Sequence, residues 1–210
     1  MKIMSEIIDV LVTAGPTIEK IDPIRFISNF SSGKQGFAIA DAFARKGAKV
    51  HLVSGPVNIE VPDGVNYYPV ESARQMLDQC LDLIPVKIAV FSAAVCDWKM
   101  ADIAVEKLKK REGEDSMTLQ LVKNQDILRT VAVSAKRPKL VVGFAAETDN
   151  LIVNARDKLF NKKCDMIIAN EVSDSNQVFG SDTNSISVIT KDNVENFGQK
   201  SKAEIAEIIV

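Results

Sequence analysis

The feature that most restricts the fold is an alternation along the chain. Short β-branched apolar runs recur, each followed by a longer segment whose apolar residues return at helical spacing. Strands buried on both faces read as continuous Val/Ile/Leu runs, and a repeating strand–helix order implies a parallel sheet covered by helices. Residues 9–13, 49–53, 87–91, 140–144 and 166–169 are the clearest strands; 65–70 is weaker and 185–189 comes late. A helix is expected over 34–46, closed by Gly47 in a capping position. A second starts at the N-cap Ser72 and shows Ala73, Met76, Leu77, Cys80 and Ile84 on one face. Further helices are expected over 124–135, 148–163 and from Lys202 onward, while 117–122 alternates like an edge or flap strand. No repeat or linker divides the chain. The expectation is an α/β fold: a single three-layer α/β/α, Rossmann-like domain over residues 1–210. It would have a mostly parallel sheet, a flexible lysine-containing loop or flap, and irregular excursions near 98–124 and 171–184.

Composition excludes several partners. With 26 Lys+Arg against 28 Asp+Glu, the net charge is −2, so no basic excess exists to neutralise a nucleic-acid backbone. A small anion needs only a local cluster of lysines and N–H groups. No apolar stretch approaches the roughly 18 residues of a membrane helix, and the first nine residues lack a signal-peptide core. Cys80, Cys96 and Cys164 are far apart and form no CxxC pair, which argues against a disulfide framework or zinc site and for a cytoplasmic setting. The sole histidine, His51, lies in the apolar run 50–53 and reads as a structural strand residue.

Ligands of open α/β sheets bind beyond the carboxyl ends of the strands. Gly15-Pro16-Thr17, Ser54-Gly55-Pro56, Ser92-Ala93-Ala94 and Ala145-Ala146-Glu147-Thr148 all follow strands, and parallel neighbours would bring them to one rim. In the long loop before the first helix, Asn29, Ser31, Ser32 and Gly33 precede helical N–H groups that lack internal partners, an anion-binding arrangement. The alternative is an ordinary serine-capped helix start. The first strand is not followed by GxGxxG, and the second ends without an acidic residue for a ribose, which disfavours an NAD(P)-dependent reductase; GxxxxGK[ST] is missing as well. The basic run from Val105 to Arg111 reads first as a solvated face. So do Lys158 and Lys162, which share one helix face.

Several stretches nevertheless occur in a telling order. Thr13-Ala14-Gly15-Pro16-Thr17, Asp22-Pro23-Ile24-Arg25, Ile27-Ser28-Asn29-Phe30-Ser31-Ser32-Gly33-Lys34 and Leu52-Val53-Ser54-Gly55-Pro56 come first. Ala93-Ala94-Val95-Cys96-Asp97-Trp98, Glu106-Lys107-Leu108-Lys109-Lys110 and Lys123-Asn124-Gln125-Asp126-Ile127-Leu128 follow, then Val142-Gly143-Phe144-Ala145-Ala146-Glu147-Thr148 and Ala169-Asn170. Together they closely resemble the phosphopantothenate–cysteine ligase family, the ligase half of bifunctional bacterial coenzyme A biosynthesis proteins, from about Val10 to the last helix.

The resemblance implies a CTP-dependent carboxylate–amine ligase. CTP with Mg²⁺ would convert the carboxylate of 4′-phosphopantothenate to an acyl-cytidylate, releasing pyrophosphate; the cysteine amine would then displace CMP. It implies a homodimer and no flavin, since the decarboxylase region is not matched. Asn29 falls on the family's catalytic asparagine, stabilising charge as the amine attacks, and Lys107 on the lysine that draws charge off the triphosphate. Arg25 falls on an arginine that approaches the pantothenate ligand from the other subunit, with Ala94 also on the substrate side. Gly15, Ser31, Ser32 and Gly33 fit phosphate cradling. Ala93, Ala94, Asp97, Gln125, Asp126, Ile127, Leu128, Phe144, Lys158 and Lys162 fall on nucleotide contacts. The resemblance assigns no metal ligands. Cys96 stands where the family usually carries Ala, and Gln125 where Pro is common. A non-catalytic partner subunit is the other reading, and ATP in place of CTP an alternative within the ligase one.

Overall fold

Neighbouring residues of the first strand serve two different cores. Val10, Val12 and Ala14 pack on one face of the central sheet and Leu11 on the other, all fully buried. Such two-sided burial is why the strand reads as an unbroken apolar run, since successive side chains point to opposite faces. The structure, a computed structural model, describes residues 7–110, 113, 115–171 and 181–210.

In chain order the elements are β1 (Asp9–Ala14), β2 (Ile18–Lys20), β3 (Phe26–Ser28), α1 (Lys34–Arg45), β4 (Lys49–Ser54), β5 (Val65–Pro69), α2 (Ala73–Leu83), β6 (Ile88–Phe91) and β7 (Trp98–Met100). Then come β8 (Leu121–Lys123), α3 (Ile127–Ala132), β9 (Leu140–Glu147), α4 (Leu151–Lys162), β10 (Met166–Glu171), β11 (Thr183–Thr190), β12 (Val194–Ser201) and α5 (Lys202–Ile209). The main sheet has the order β12-β11-β10-β9-β6-β1-β4-β5. Its pairs are parallel from β5 to β10 and antiparallel at β11 and β12. Helices α1 and α5 pack against one face, and α2, α3 and α4 against the other. The mostly parallel three-layer reading therefore holds. Among the described residues, no helix is long and apolar enough to cross a membrane.

Local signals explain most helix ends. Gly47, at φ 82°, follows the C-cap of α1. Ser72 and Gln75 form a capping box before α2, as do Ser201 and Glu204 before α5. His51 is buried, with Nδ1 3.0 Å from the Tyr68 hydroxyl, and burial lowers its pKa, in keeping with a strand residue.

Several boundaries differ from expectation. The stretch 117–122 is strand only at β8, which pairs antiparallel with β7 to form a small flap. Helix α3 starts at Ile127, not 124, because the Asp126 carboxylate caps it by accepting from Arg129 N at 2.9 Å. Helix α4 starts at Leu151 because β9 continues to Glu147, paired with β10, and Asn150 then turns at φ 46°. The long loop before α1 contains the hairpin β2–β3, and β12 went unpredicted because its sequence, VENFGQKS, has no apolar alternation. Most of the excursion expected at 171–184, namely 172–180, lies outside the described residues, as does Arg111.

Candidate functional site: two adjoining clefts at the sheet rim

The carboxyl ends of β1, β4, β6 and β9 are parallel neighbours, so their turns meet. Ala94 N donates to Gly15 O at 2.9 Å and Thr17 N to Ala94 O at 3.2 Å, tying the first turn to the third. Thr13 Oγ1 accepts from Ala93 N at 3.4 Å, and Ser92 Oγ donates to Thr13 O at 2.7 Å. A Cβ on Gly55 would stand 1.6 Å from Pro16 O, so only glycine lets the second turn touch the first.

Glycine also brings α1 to the rim. A Cβ on Gly36 would lie 2.5 Å from Ala14 Cβ, so the first turn of the helix rests directly on the end of β1. Gly33 is the N-cap, at φ 77°, with no side-chain cap, while Ser31 Oγ accepts from Gly33 N at 3.3 Å. The serine-capped alternative is thereby excluded. A helix start without a side-chain cap presents N–H groups of the kind that bind anions.

Two cavities share this rim. The larger, about 490 Å³, is bounded by Gln125, Asp126, Ile127 and Leu128 on one side and Lys158 and Lys162 on another. The smaller, about 330 Å³, is bounded by Asn29, Ser31, Ser32, Gly33 and Ala94. Ala93, Val95, Asp97, Phe144 and Lys158 form the wall common to both. Most of the residues singled out in the sequence are thus brought together. A planar group bound between Phe144, Leu128 and Trp98 in the larger cavity would have lysines within reach of its phosphates.

Electrostatics sharpen the picture. Burial lowers the pKa of Lys158; Glu147 opposes the shift, neighbouring Lys162 adds to it, and Asp97 and Asp126 oppose it again. Lys162 Nζ pairs with Asp126 Oδ2. Asn29 Nδ2 donates to Ala94 O at 2.9 Å and lies 3.6 Å from Cys96 Sγ. Cys96 N in turn donates to Thr17 Oγ1 at 2.9 Å, and burial raises the thiol pKa. Among the described residues no three His, Cys, Asp or Glu side chains gather to hold a metal.

Three residues lie elsewhere. Gly15 sits behind the smaller cavity, its Cα 3.4 Å from where a Cβ of Gly33 would be. Arg25 and Lys107 line neither cavity. The Arg25 guanidinium binds the Asp22 carboxylate and, at 2.6 Å, Leu108 O; Leu108 N donates to Asp22 Oδ2 at 3.0 Å. Burial alone would raise the Asp22 carboxyl, yet these bonds outweigh it and hold the group well below the usual carboxylate range. Lys107, beside Leu108, is exposed. Conversely, Trp98, Lys123, Asn124, Lys34, Asn170 and Lys202 line the cavities without having been singled out as contacts. Lys123-Asn124 and Asn170 lie inside motifs quoted above, but nothing in the local pattern of Lys202 marks it.

Residues 6–210 match the model of the family described as "DNA/pantothenate metabolism flavoprotein C-terminal domain". The chain belongs to this family. It is 44% identical over 204 residues to the coenzyme A biosynthesis bifunctional protein CoaBC of Haemophilus influenzae, covering 97% of this chain and 50% of that protein. It is also 42% identical over 204 residues to a cysteine/cysteine sulfinic acid decarboxylase of an unknown prokaryotic organism, covering 96% of this chain and 56% of that one. The chain thus spans about half the length of these relatives. Among solved structures it resembles the C-terminal domain of CoaBC, with a TM-score of 0.79, 37% identity, and coverage of 96% of this chain and 91% of that one.

Proposed function

We propose that residues 1–210 form one cytoplasmic ligase domain that joins 4′-phosphopantothenate to cysteine at the expense of CTP. The relatives' names point to two different chemistries for proteins about twice this length, so the site has to choose between them. What supports the ligase is the wall shared by the two cavities, where Ala93, Asp97 and Lys158 face both a lysine-lined pocket and the Asn29 loop. Two reactants can meet across such a wall.

In this reading the base and ribose occupy the larger cavity, beside Phe144 and residues 125–128, and the phosphates run past Lys158 and Lys162 toward Gly33. Magnesium enters as the counter-ion of CTP, part of the substrate. The pantothenate carboxylate attacks the α-phosphorus and pyrophosphate leaves. A free carboxylate has no good leaving group, whereas the resulting acyl-cytidylate has CMP. The cysteine amine then attacks the acyl carbon, CMP departs and one proton is released. Asn29 holds the acyl group during this second step, fixed by its bond to Ala94 O.

Arg25 and Lys107 fit the same reading if a second copy completes the site. They are joined through Asp22 and Leu108. Ile24 and Phe26 flank Arg25 in the chain, and Ile103 and Val105 flank Ala104, whose N donates to Ile21 O at 3.0 Å; all four apolar side chains are exposed, Val105 by 91%. Such a patch on small hairpins is suited to burial between subunits, and a dimer would present both cations to the partner's ligand.

The test is pyrophosphate release from MgCTP, with 4′-phosphopantothenate present or withheld, cysteine present or withheld, and ATP in parallel. Release that requires phosphopantothenate and favours CTP is the expected result. Release favouring ATP would overturn the nucleotide, and none with either would overturn the ligase.

A further inference from the structure

We infer that Glu19 is a positioning residue for the amide-forming step, because its carboxylate clamps the hairpin that leads into Asn29 to the start of α2. The inference rests on the ligase reading for the step it serves, and not for the existence of the clamp.

A glutamate on a short hairpin normally stays in water, since burying a carboxylate is costly unless hydrogen bonds replace its hydration. Glu19 lies in the middle of the three-residue strand β2 and is 6% exposed. Its Oε1 accepts from Ala73 N at 2.8 Å, across 54 positions of chain. Ala73 is the first residue of α2, and the Ser72–Gln75 capping box there satisfies Ser72 N and Gln75 N but not Ala73 N. The first turn of α2 has no acidic residue of its own. Glu19 therefore supplies from a distant segment both the acceptor and the negative charge that a helix start favours. Its two neighbours extend the contact. Ile18 N donates to Glu71 O at 2.8 Å, and Lys20 Nζ pairs with Glu71 Oε2 at 3.0 Å.

The clamp reaches Asn29 through the hairpin. Glu19 pairs with Ile27 and Ile18 with Ser28, so β3 ends immediately before Asn29. Ser28 Oγ donates to Thr17 O at 2.8 Å, and the fully buried Thr17 gives its N to the same Ala94 carbonyl that holds the Asn29 amide. The Asn29 side chain is thus held by Ala94 and its backbone by the hairpin. Glu19 lines neither cavity, so it acts only through what it holds. Residues 125–128, Lys158 and Lys162, on the nucleotide side, belong to other segments. Loss of the clamp should therefore affect attack by the cysteine amine and spare affinity for MgCTP.

Three variants of the intact protein test this. Glu19→Leu removes the acceptor, and Glu19→Gln keeps an acceptor oxygen at the same reach. Ala73→Pro removes the donor instead; proline suits the first helical position, and Ser72 before it is extended at ψ 163°. Circular dichroism melts would verify folding, and Ala73→Pro carries the test if Glu19→Leu does not fold. Hydrogen exchange of the β2–β3 hairpin reads the clamp without turnover. In Glu19→Leu and Ala73→Pro, hairpin exchange should quicken and coupling kcat fall, each about tenfold, with the KM for MgCTP unchanged and acyl-cytidylate accumulating. Glu19→Gln should restore exchange and kcat to within about threefold of wild type. Unchanged exchange in folded Glu19→Leu would overturn the inference. So would faster exchange with wild-type coupling, or an equal loss of kcat and MgCTP affinity in all three variants. Clamp-dependent exchange in a protein that turns over neither nucleotide would refute the ligase and leave the clamp standing.

Discussion

The Asn29 carboxamide gives its Nδ2 to the Ala94 carbonyl at 2.9 Å, and the same Ala94 carbonyl accepts from Thr17 N at 3.2 Å. A catalytic candidate on an exposed loop is thus locked to the rim of the sheet by backbone that the parallel strands position. Which end of the amide faces Ala94 is set by chemistry, since only N–H can approach a carbonyl that closely.

Replacing Asn29 by Asp puts a carboxylate against that carbonyl. The residue no longer donates, and the loop is repelled from Ala94. CTP and phosphopantothenate should still bind and release pyrophosphate, while amide formation falls by on the order of 10² or more. Chromatography of a quenched reaction should show the acyl-cytidylate accumulating. Wild-type coupling by the variant would remove Asn29 from the mechanism.

Lys158 and Lys202 both have pKa values lowered below 10.5 by burial. Folding disfavours their charged forms, so their contribution to stability improves as pH rises through the lowered values toward 10.5. Bound phosphates act the other way and raise both pKa values. MgCTP binding should therefore take up protons as pH passes through the lowered values, and weaken as pH rises through them. Titrations in buffers of different ionisation enthalpy would measure the uptake; Lys158→Met should reduce it and weaken CTP binding about tenfold, or roughly 1.4 kcal/mol. Proton release would contradict the assignment.

Two glycines should respond differently to alanine. At Gly55 the new Cβ would stand 1.6 Å from Pro16 O, a collision that separates two turns of the site. At Gly47 it meets nothing within 4 Å, and only the positive φ of 82° is strained. Gly47→Ala should cost about 1 kcal/mol, the usual penalty for a left-handed non-glycine residue. Gly55→Ala should exceed that by several kcal/mol or prevent folding. Denaturant melts of the pair would show it, and equal midpoints would refute the close approach.

The three cysteines should be slow toward thiol reagents in the native protein. Burial pushes Cys80 up to about 12 and Cys164 up to about 11, and raises Cys96 as well, while the thiolate is the reactive form. With a colorimetric disulfide at pH 8, native protein should show little rapid reaction, and protein unfolded in guanidinium should show all 3 thiols. A fast native thiol would mean that one of these sites opens.

How legible was this protein? Residues 9–13 and 140–144 declared themselves as strands because burial on both faces leaves only apolar side chains there. Ser72 and Gly47 marked helix ends because caps are local hydrogen-bond and φ requirements. Strand β12 could not be read, since an antiparallel strand of polar residues exists only because β11 offers it a ladder. The start of helix α3 is not legible in the sequence, because an aspartate at 126 suits a helix interior as readily as the cap that its side chain forms.

The sequence by itself determined the layered α/β architecture, the glycine and serine loop before α1, and the family, because these follow from local periodicity and ordered motifs. Only the tertiary structure decided that Asn29, Asp97, Lys158 and Gln125 border adjoining cavities while Arg25 and Lys107 point elsewhere. It alone brought Lys202 beside Lys34, residues far apart in the chain. Their proximity depends on how α1 and α5 pack against the sheet, and packing between distant segments leaves no periodic trace in either one.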